Sequence, residues 1–222
     1  MLNSVIVVDD EASIRNAVEQ WLSLSGFDVQ LFTCAEDCLG QLPAHFAGVI
    51  VSDVRMPGMG GLALLNRLQQ LDADLPVILL TGHGDVPMAV EAMRAGAYDF
   101  LEKPFSPEAL LGSLRRALEK RQLILENRRL HEQADLREQI DGRLLGVSRS
   151  LQTLRRQVLE LAPLPVNVLI RGETGSGKEL VARCLHDFGP RADKPFVALD
   201  CSAIPEQLFE AELFGHESGA FT

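Results

Sequence analysis

The sequence predicts an α/β protein whose main part is a five-stranded parallel sheet covered by helices on both faces. Five short apolar runs, most of them rich in β-branched residues, recur within residues 4–101, and stretches with apolar residues at helical spacing separate them. Parallel strands require such crossover helices, which then cover both faces of the sheet. A glycine-rich stretch at 172–178, after a further apolar run, indicates a second α/β unit.

The strand-like runs lie at residues 4–8, 28–32, 48–51, 76–80 and 97–101. After the first of them, Ile14, Val18 and Leu22 recur at helical spacing until Gly26, which predicts a helix end. Further helical patterns occupy 62–71 and 86–95. The pattern that begins near Pro107 extends beyond the sheet, because neither Gly nor Pro occurs from 113 to 140.

This long helical segment is predicted to be a linker. Two pairs of leucines are seven residues apart, as in a coiled coil: Leu118 and Leu125, then Leu123 and Leu130. Arg121 and Arg128 interrupt the apolar seam that such pairs would form. We therefore favour a single linker helix, with a dimerising coiled coil as the alternative.

Composition restricts the class of protein. The 222 residues suffice for one large domain or up to two ordinary ones. The formal net charge is −10, most of it within 1–114, and no segment has the basic surface expected for nucleic-acid binding. No apolar run approaches the roughly 18 residues of a membrane span, and no basic leader precedes Asp9. We expect a cytoplasmic protein with no membrane segment and no DNA-binding domain in these residues.

Polar side chains follow four of the predicted strands. Asp9 and Asp10 follow the first strand, Asp53 the third, Thr81 the fourth and Lys103 the fifth. Because ligands bind at the carboxyl ends of parallel strands, we expect these groups to converge on one edge. Carboxylates are suitable ligands for Mg²⁺, and a metal and a lysine would allow Asp53 to attack a phosphoryl group. Thr81 would hydrogen-bond the phosphoryl oxygen of the product.

Four ordered motifs resemble the receiver domain of bacterial two-component response regulators: VVDDE at 7–11, SDVRMPG at 52–58, LLTGHGD at 79–85 and YDFLEKPF at 98–105. The resemblance implies a flavodoxin-like fold with sheet order 2-1-3-4-5 over residues 1–118. It also implies that a sensor histidine kinase donates a phosphoryl group to Asp53.

The resemblance also implies roles for the neighbours of Asp53. Asp10, Asp53 and the backbone carbonyl of Arg55 would ligate Mg²⁺, with Asp9 acting through water. Lys103 would pair with the phosphoryl group, and the Lys103–Pro104 bond would be cis. In this family the residue at the position of Thr81 and the aromatic residue three positions before the lysine move together on phosphorylation. Here that residue is Phe100, which has no hydroxyl group to hydrogen-bond. Two roles therefore stay open for Phe100: part of a switch that uses no such hydrogen bond, or a core residue of the fifth strand.

A phosphate-binding loop is predicted after a strand at 166–170. The sequence GETGSGKE fits the pattern GxxxxGK between a strand and a helix. Its backbone N–H groups would surround phosphates and Lys178 would reach the outer ones. The candidate ATP-binding residues are Gly172, Glu173, Thr174, Gly175, Ser176, Gly177, Lys178 and Glu179. Glu179 stands where a Ser or Thr commonly ligates Mg²⁺.

GETGSGKE, PFVALDCSAIPE at 195–206 and ELFGHESGAFT at 212–222 together resemble the central AAA+ ATPase domain of sigma-54-dependent activators of the NtrC type, in which Glu at position 179 is usual. Among these activators, the receiver loop LTGHGDV, the run GAYDFLEKPF and the linker sequence EKRQLILENR most resemble the regulators of four-carbon dicarboxylate transport. The resemblance implies a linker at 119–142, an ATPase domain at 143–222 and a homodimer through the linker helix. It also implies contact with sigma-54 RNA polymerase through the GAFT loop of a full-length form.

We expect the chain to stop within the ATPase domain, so that ATP is bound but scarcely hydrolysed and residues 144–222 fold poorly alone. Two other hypotheses stay open. In the first, the chain is a stand-alone phospho-acceptor and dimerisation module without transcriptional output. In the second, it is a P-loop small-molecule kinase fused to a flavodoxin-like domain.

Overall fold

The computed structural model describes residues 2–82 and 86–200. The strands are β1 (Ser4–Val8), β2 (Asp28–Phe32), β3 (Gly48–Asp53), β4 (Val77–Thr81) and β5 (Asp99–Glu102). The helices are α1 (Ala12–Leu24), α2 (Ala35–Gln41), α3 (Gly61–Leu71), α4 (Val86–Arg94), α5 (Pro107–Arg143), α6 (Arg149–Leu161) and α7 (Lys178–Asp187). No described helix combines the length and apolar character needed to cross a membrane.

The five strands form one parallel sheet in the order β2-β1-β3-β4-β5. The predicted fold and sheet order are therefore confirmed. β3 and β4 are buried along their whole length, which explains why their sequences are almost uninterruptedly apolar. β2 lies at an edge and alternates between exposed and partly buried residues, as a strand covered less fully does.

Two apolar clusters cover the two faces of the sheet. On one face, side chains of α2, α3 and α4, including Leu64 and Leu68, pack against Ile6, Ile50 and Leu79. On the other face, α1 and the first third of α5 pack on the alternate strand residues: Val18, Leu22, Leu110, Leu114 and Leu118 meet Val5, Val7, Val49, Val51, Ile78 and Leu80. The period of two along each strand sends successive side chains into different clusters.

The chain divides into two compact units between His131 and Glu132, and α5 runs through the division. Within the second unit, a small apolar cluster contains Ile140, Val158 and Val181. Arg155 closes the end of α5 there, because its guanidinium donates to the carbonyl oxygens of Leu144 (Nε, 2.9 Å) and Gly146 (Nη2, 2.8 Å).

One sequence expectation about the second unit needs correction. Residues 166–170 were expected to form a strand, but they form neither a strand nor a helix, and Val166 and Leu169 are 51% and 76% exposed. A strand requires a hydrogen-bonded neighbour, and no described segment supplies one there. Residues 201–222, with most of the PFVALDCSAIPE motif, the ELFGHESGAFT motif and the GAFT loop, lie outside the described residues, as do His83, Gly84 and Asp85.

Candidate functional site

The carboxyl edge of the sheet brings the predicted acidic and basic side chains together. Asp53 is the last residue of β3, while Asp9 and Lys103 directly follow β1 and β5. The ammonium nitrogen of Lys103 lies 2.8 Å from Asp9 Oδ2 and 2.6 Å from Asp53 Oδ1. Thr81 ends β4 and is buried, and its carbonyl oxygen accepts a 2.6 Å bond from the Lys103 backbone N–H. The peptide bond between Lys103 and Pro104 is cis, as the resemblance implied.

Backbone amides fix the second oxygen of each buried carboxylate. Asp53 Oδ2 accepts from the N–H of Arg55 at 2.8 Å, and Asp9 Oδ1 accepts from the N–H of Glu11 at 2.8 Å. In both cases the donor lies two residues further along the chain, in the turn that leaves the strand. Each carboxylate therefore has one oxygen held by the backbone and one shared with Lys103.

Burial sets the electrostatics of this group. Asp9 and Asp53 are only 1% and 6% exposed. Desolvation raises the pKa of Asp9, and the hydrogen bond and charge of Lys103 offset only part of this effect. Burial alone would lower the pKa of Lys103, but the hydrogen bonds and charges of Asp53 and Asp9 outweigh it and raise that pKa. Two buried carboxylates thus share a single ammonium group.

This donor set fits a small divalent cation. Mg²⁺ takes one or two carboxylates and retains several waters, and Asp9 and Asp53 offer two hard oxygen donors with an incomplete balance of charge. Asp10 and Arg55 are exposed beside them. Within residues 2–82 and 86–200, no three His, Cys, Asp or Glu side chains are already arranged around one point. Roles for Asp10 and the Arg55 carbonyl therefore stay predictions.

Two neighbouring residues that the sequence reasoning missed hold the loops of this edge. Arg15 Nη1 donates to the carbonyl oxygen of Asp9 at 2.6 Å, and Glu36 Oε1 accepts from the N–H of Met59 at 3.0 Å. Glu36 lies 23 residues from Met59 in the chain, so no local pattern could have revealed the contact. Arg15 is one turn into α1, where its position relative to Asp9 offered a weak signal.

Phe100 is half-buried and packs against the apolar cluster of α3 and α4. This packing agrees with a core residue of β5, while coupled movement with Thr81 stays a prediction. On the opposite face of the sheet, the rings of Trp21 and Phe105 make a T-shaped contact, with their centroids 6.4 Å apart. Both line a groove of about 560 Å³ that also includes Lys103. Trp21 is the single tryptophan of the chain, so its fluorescence reports on this unit.

The predicted phosphate-binding segment, 172–179, lies in the second unit and extends into the first turn of α7. Gly175 and Gly177 have φ of +82° and +86°, which an L side chain rarely adopts, so glycine is required for this path. The ammonium group of Lys178 donates to the carbonyl oxygens of Gly172 (3.0 Å) and Glu173 (2.8 Å), and the loop thus curves around its own lysine. The exposed N–H groups at the start of α7 suit an anion.

The Glu179 carboxylate pairs with an arginine of the same helix. Its Oε1 accepts from Arg183 Nη2 at 2.8 Å, one helical turn along α7. Both side chains are more than half exposed, so this pair contributes little to stability.

Comparison with protein families identifies both parts of the chain. The family model for the response regulator receiver domain matches residues 5–115, and that for the sigma-54 interaction domain matches residues 144–222. The chain belongs to the response regulators. The receiver resemblance and the sigma-54 resemblance of the sequence are confirmed, and neither matched family is a small-molecule kinase.

Two transcriptional regulators are similar in sequence to almost the whole of this chain. The C4-dicarboxylate transport transcriptional regulatory protein DctD of Pseudomonas aeruginosa is 54% identical over 98% of the chain and 47% of its own length. The DNA-binding transcriptional regulator NtrC of Salmonella typhimurium is 41% identical over 98% of the chain and 45% of its own length. The chain thus spans about half the length of these curated relatives.

Solved structures agree with this assignment. NtrX from Brucella abortus in complex with ADP has a TM-score of 0.51 and 36% identity, covering 98% of this chain and 47% of its own. The beryllofluoride-activated NtrC4 receiver domain dimer has a TM-score of 0.52 and 37% identity, covering 54% of this chain and 99% of its own.

Proposed function

We propose that this response regulator accepts a phosphoryl group on Asp53 from a sensor histidine kinase and thereby controls sigma-54-dependent transcription. The observation that carries the proposal is the position of the Asp53 carboxylate. It stands at the end of a central strand, with one oxygen 2.6 Å from the Lys103 ammonium and the other held by a backbone N–H. A fixed carboxylate beside a cation is arranged to attack an electron-poor phosphorus.

The transfer itself requires little of the protein besides position and charge. An Asp53 oxygen forms a bond to phosphorus while the bond from phosphorus to the donor histidine nitrogen breaks, and that nitrogen takes the electron pair. Lys103 offsets the charge on the phosphoryl oxygens, and the Thr81 hydroxyl would then hydrogen-bond one of them. Asp10, Asp53 and the Arg55 carbonyl would hold Mg²⁺, with Asp9 acting through water, and the ion would further neutralise that charge.

We further propose that residues 172–179 bind ATP. The curved backbone, the N-terminus of α7 and Lys178 are the groups that a phosphate chain needs. The ADP complex of the related NtrX supports this assignment. Lys178 would exchange its present carbonyl partners for phosphate oxygens on binding.

The partners of the regulator follow from the same proposal. A homodimer would form through the linker helix, where Leu123 and Leu130 are 66% and 51% exposed and seven residues apart. Sigma-54 RNA polymerase would contact the GAFT loop, which lies outside the described residues. Dicarboxylate transport as the controlled process and a cytoplasmic location stay predictions that the relationship to DctD supports.

The test is incubation with acetyl phosphate and Mg²⁺, followed by intact mass and Trp21 fluorescence. We expect wild type to gain the mass of one phosphoryl group and Asp53→Asn to gain none. Asp74→Asn is the matched control, because Asp74 lies in the connection before β4, at the opposite ends of the strands, and should be phosphorylated like wild type. No gain on wild type, or an equal gain on Asp53→Asn, would overturn the proposal.

A further inference from the structure

The linker helix α5 carries two arginines that reach the same aspartate of the receiver. Arg121 Nη2 lies 2.6 Å from Asp72 Oδ2, and it also donates to the carbonyl oxygen of Phe46 at 2.7 Å. Arg128, two turns further along α5, contacts both oxygens of Asp72, with Nη2 2.7 Å from Oδ1 and Nη1 3.1 Å from Oδ2. Arg128 also bonds Asp74 at 2.6 Å. The helix is thus bound to two loops of the receiver at once.

This cluster is not an ordinary surface ion pair. Arg121 is fully buried, and the side chain of Asp72 is only 10% exposed. The pair of Arg121 with Asp72 is therefore little screened by water. Arg128 is 34% exposed, but its pair with Asp72 has the bidentate geometry of the stronger guanidinium contacts. The two arginines hold the pKa of Asp72 well below its ordinary value, although burial alone would raise it.

Asp72 is also fixed by hydrogen bonds that do not involve the arginines. Its N–H donates to Leu68 at the end of α3, and its carbonyl oxygen accepts from Leu75 at 3.0 Å. Its Oδ1 accepts a 3.1 Å bond from the N–H of Asp74. The carboxylate therefore presents both oxygens to α5 from a closed turn, not from a freely rotating side chain.

Apolar packing of α5 on the sheet ends before the arginines begin to act. Leu114 and Leu118 belong to the buried core, whereas Leu123 and Leu130 are largely exposed. With 100° per residue, Leu123 lies about 160° around the helix from Arg121. Beyond Leu118, Arg121 is the next buried side chain of α5, so the polar cluster begins where this apolar packing ends.

We propose that Asp72, Arg121 and Arg128 form a clasp that fixes residues 119–128 of the linker helix to the receiver and so determines which face of that helix points outward. The arginines that interrupt the apolar seam in the sequence are then attachment points. The clasp lies at the opposite end of the sheet from Asp53 and does not depend on phosphoryl transfer.

Amide hydrogen exchange of the whole chain, measured on peptides covering 119–131, tests the clasp. Asp72→Asn keeps the shape of the side chain and removes its charge, and we expect exchange in these peptides to rise by about tenfold or more. Asp74→Asn is the control, because the half-exposed carboxylate of Asp74 bonds Arg128 and its replacement leaves the charge of Asp72 in place; we expect a change within about twofold. Exchange in Asp72→Asn within twofold of wild type, or equal to that in Asp74→Asn, would overturn the proposal.

A second variant covers the case in which Asp72→Asn fails to fold, which Trp21 fluorescence would reveal. Arg128→Gln leaves the buried pair of Arg121 and Asp72 intact. We expect exchange to rise by about threefold in 125–131 and to stay at the wild-type rate in the core strand β4. An unchanged rate in 125–131 would contradict the clasp.

Discussion

Replacement of Lys103 by Met tests how the carboxyl edge balances its charges. The Lys103 ammonium lies within 2.8 Å of both Asp9 and Asp53, and these carboxylates are almost completely buried. Methionine has a similar length but no charge. The variant therefore leaves two buried carboxylates close together without their shared cation.

The expected cost follows from the burial of the three side chains. Breaking a buried pair by removing one partner costs about 3–5 kcal/mol. The Lys103 side chain is 16% exposed, so water partly solvates the freed oxygens and we expect the lower end, about 3 kcal/mol. For a unit of this size that corresponds to a fall in Tm of roughly 12 °C.

Magnesium should reverse part of this loss. Because the ammonium no longer competes for the carboxylate oxygens, a divalent cation can take its place, and a ligand at one hundred times its Kd stabilises the folded state by about 2.7 kcal/mol. We expect Mg²⁺ to raise the Tm of Lys103→Met more than that of wild type.

Thermal melts followed by Trp21 fluorescence measure both effects, because this single tryptophan lies beside Phe105 in the receiver. Lys120→Met is the matched control. Its ammonium is exposed and lies 5.6 Å from the ring centre of Tyr98, so its loss should cost less than about 1 kcal/mol. A Tm of Lys103→Met equal to that of wild type, with the same response to Mg²⁺, would refute the reasoning.

Three further predictions concern the same unit. Because the pKa of Asp72 is lowered in the folded state, its charge stabilises the fold above the unfolded pKa of about 3.9. Urea melts should therefore show a difference in the free energy of unfolding between wild type and Asp72→Asn. This difference should be full near about pH 6 and should shrink as the pH falls below about 4. Gly61→Ala should destabilise by about 1–3 kcal/mol and slow phosphorylation, since a Cβ would overlap the Asp53 carbonyl oxygen. The control is Gly40→Ala. A Cβ at this position of α2 would meet no other atom within 4 Å, so the variant should be as stable as wild type or more stable in the same melts. Leu114→Ala should cost about 2–5 kcal/mol, because Leu114 is fully buried, and a loss below about 1 kcal/mol would contradict that packing.

The side chains that gather at the carboxyl edge of the sheet were predictable from the sequence. Asp9, Asp53, Thr81 and Lys103 each stand at or just after the end of a strand, and parallel strands end at one edge. Local pattern and chain topology are sufficient for that conclusion. The glycines of the phosphate loop were predictable for a similar reason, because the positive φ at Gly175 and Gly177 is a local requirement.

Contacts between distant loops were not predictable in this way. The bond from Met59 to Glu36 and the clasp of Asp72 with Arg121 join residues 23 and 49 positions apart. In the sequence, Arg121 was only an interruption of an apolar seam. The expected strand at 166–170 was wrong because apolar β-branched residues favour a strand only where a neighbour completes its hydrogen bonds.

The sequence alone determined the five-stranded order of elements, the acid at the end of β3 and the glycine-rich loop at 172–178, because each depends on residue type, periodicity and turn chemistry within a short stretch. The tertiary structure alone decided that Lys103 is shared between two buried carboxylates and that Asp72 holds the linker helix. Those arrangements depend on burial and on the distance between atoms from separate elements, and both quantities exist only once the sheet has assembled and its loops have met.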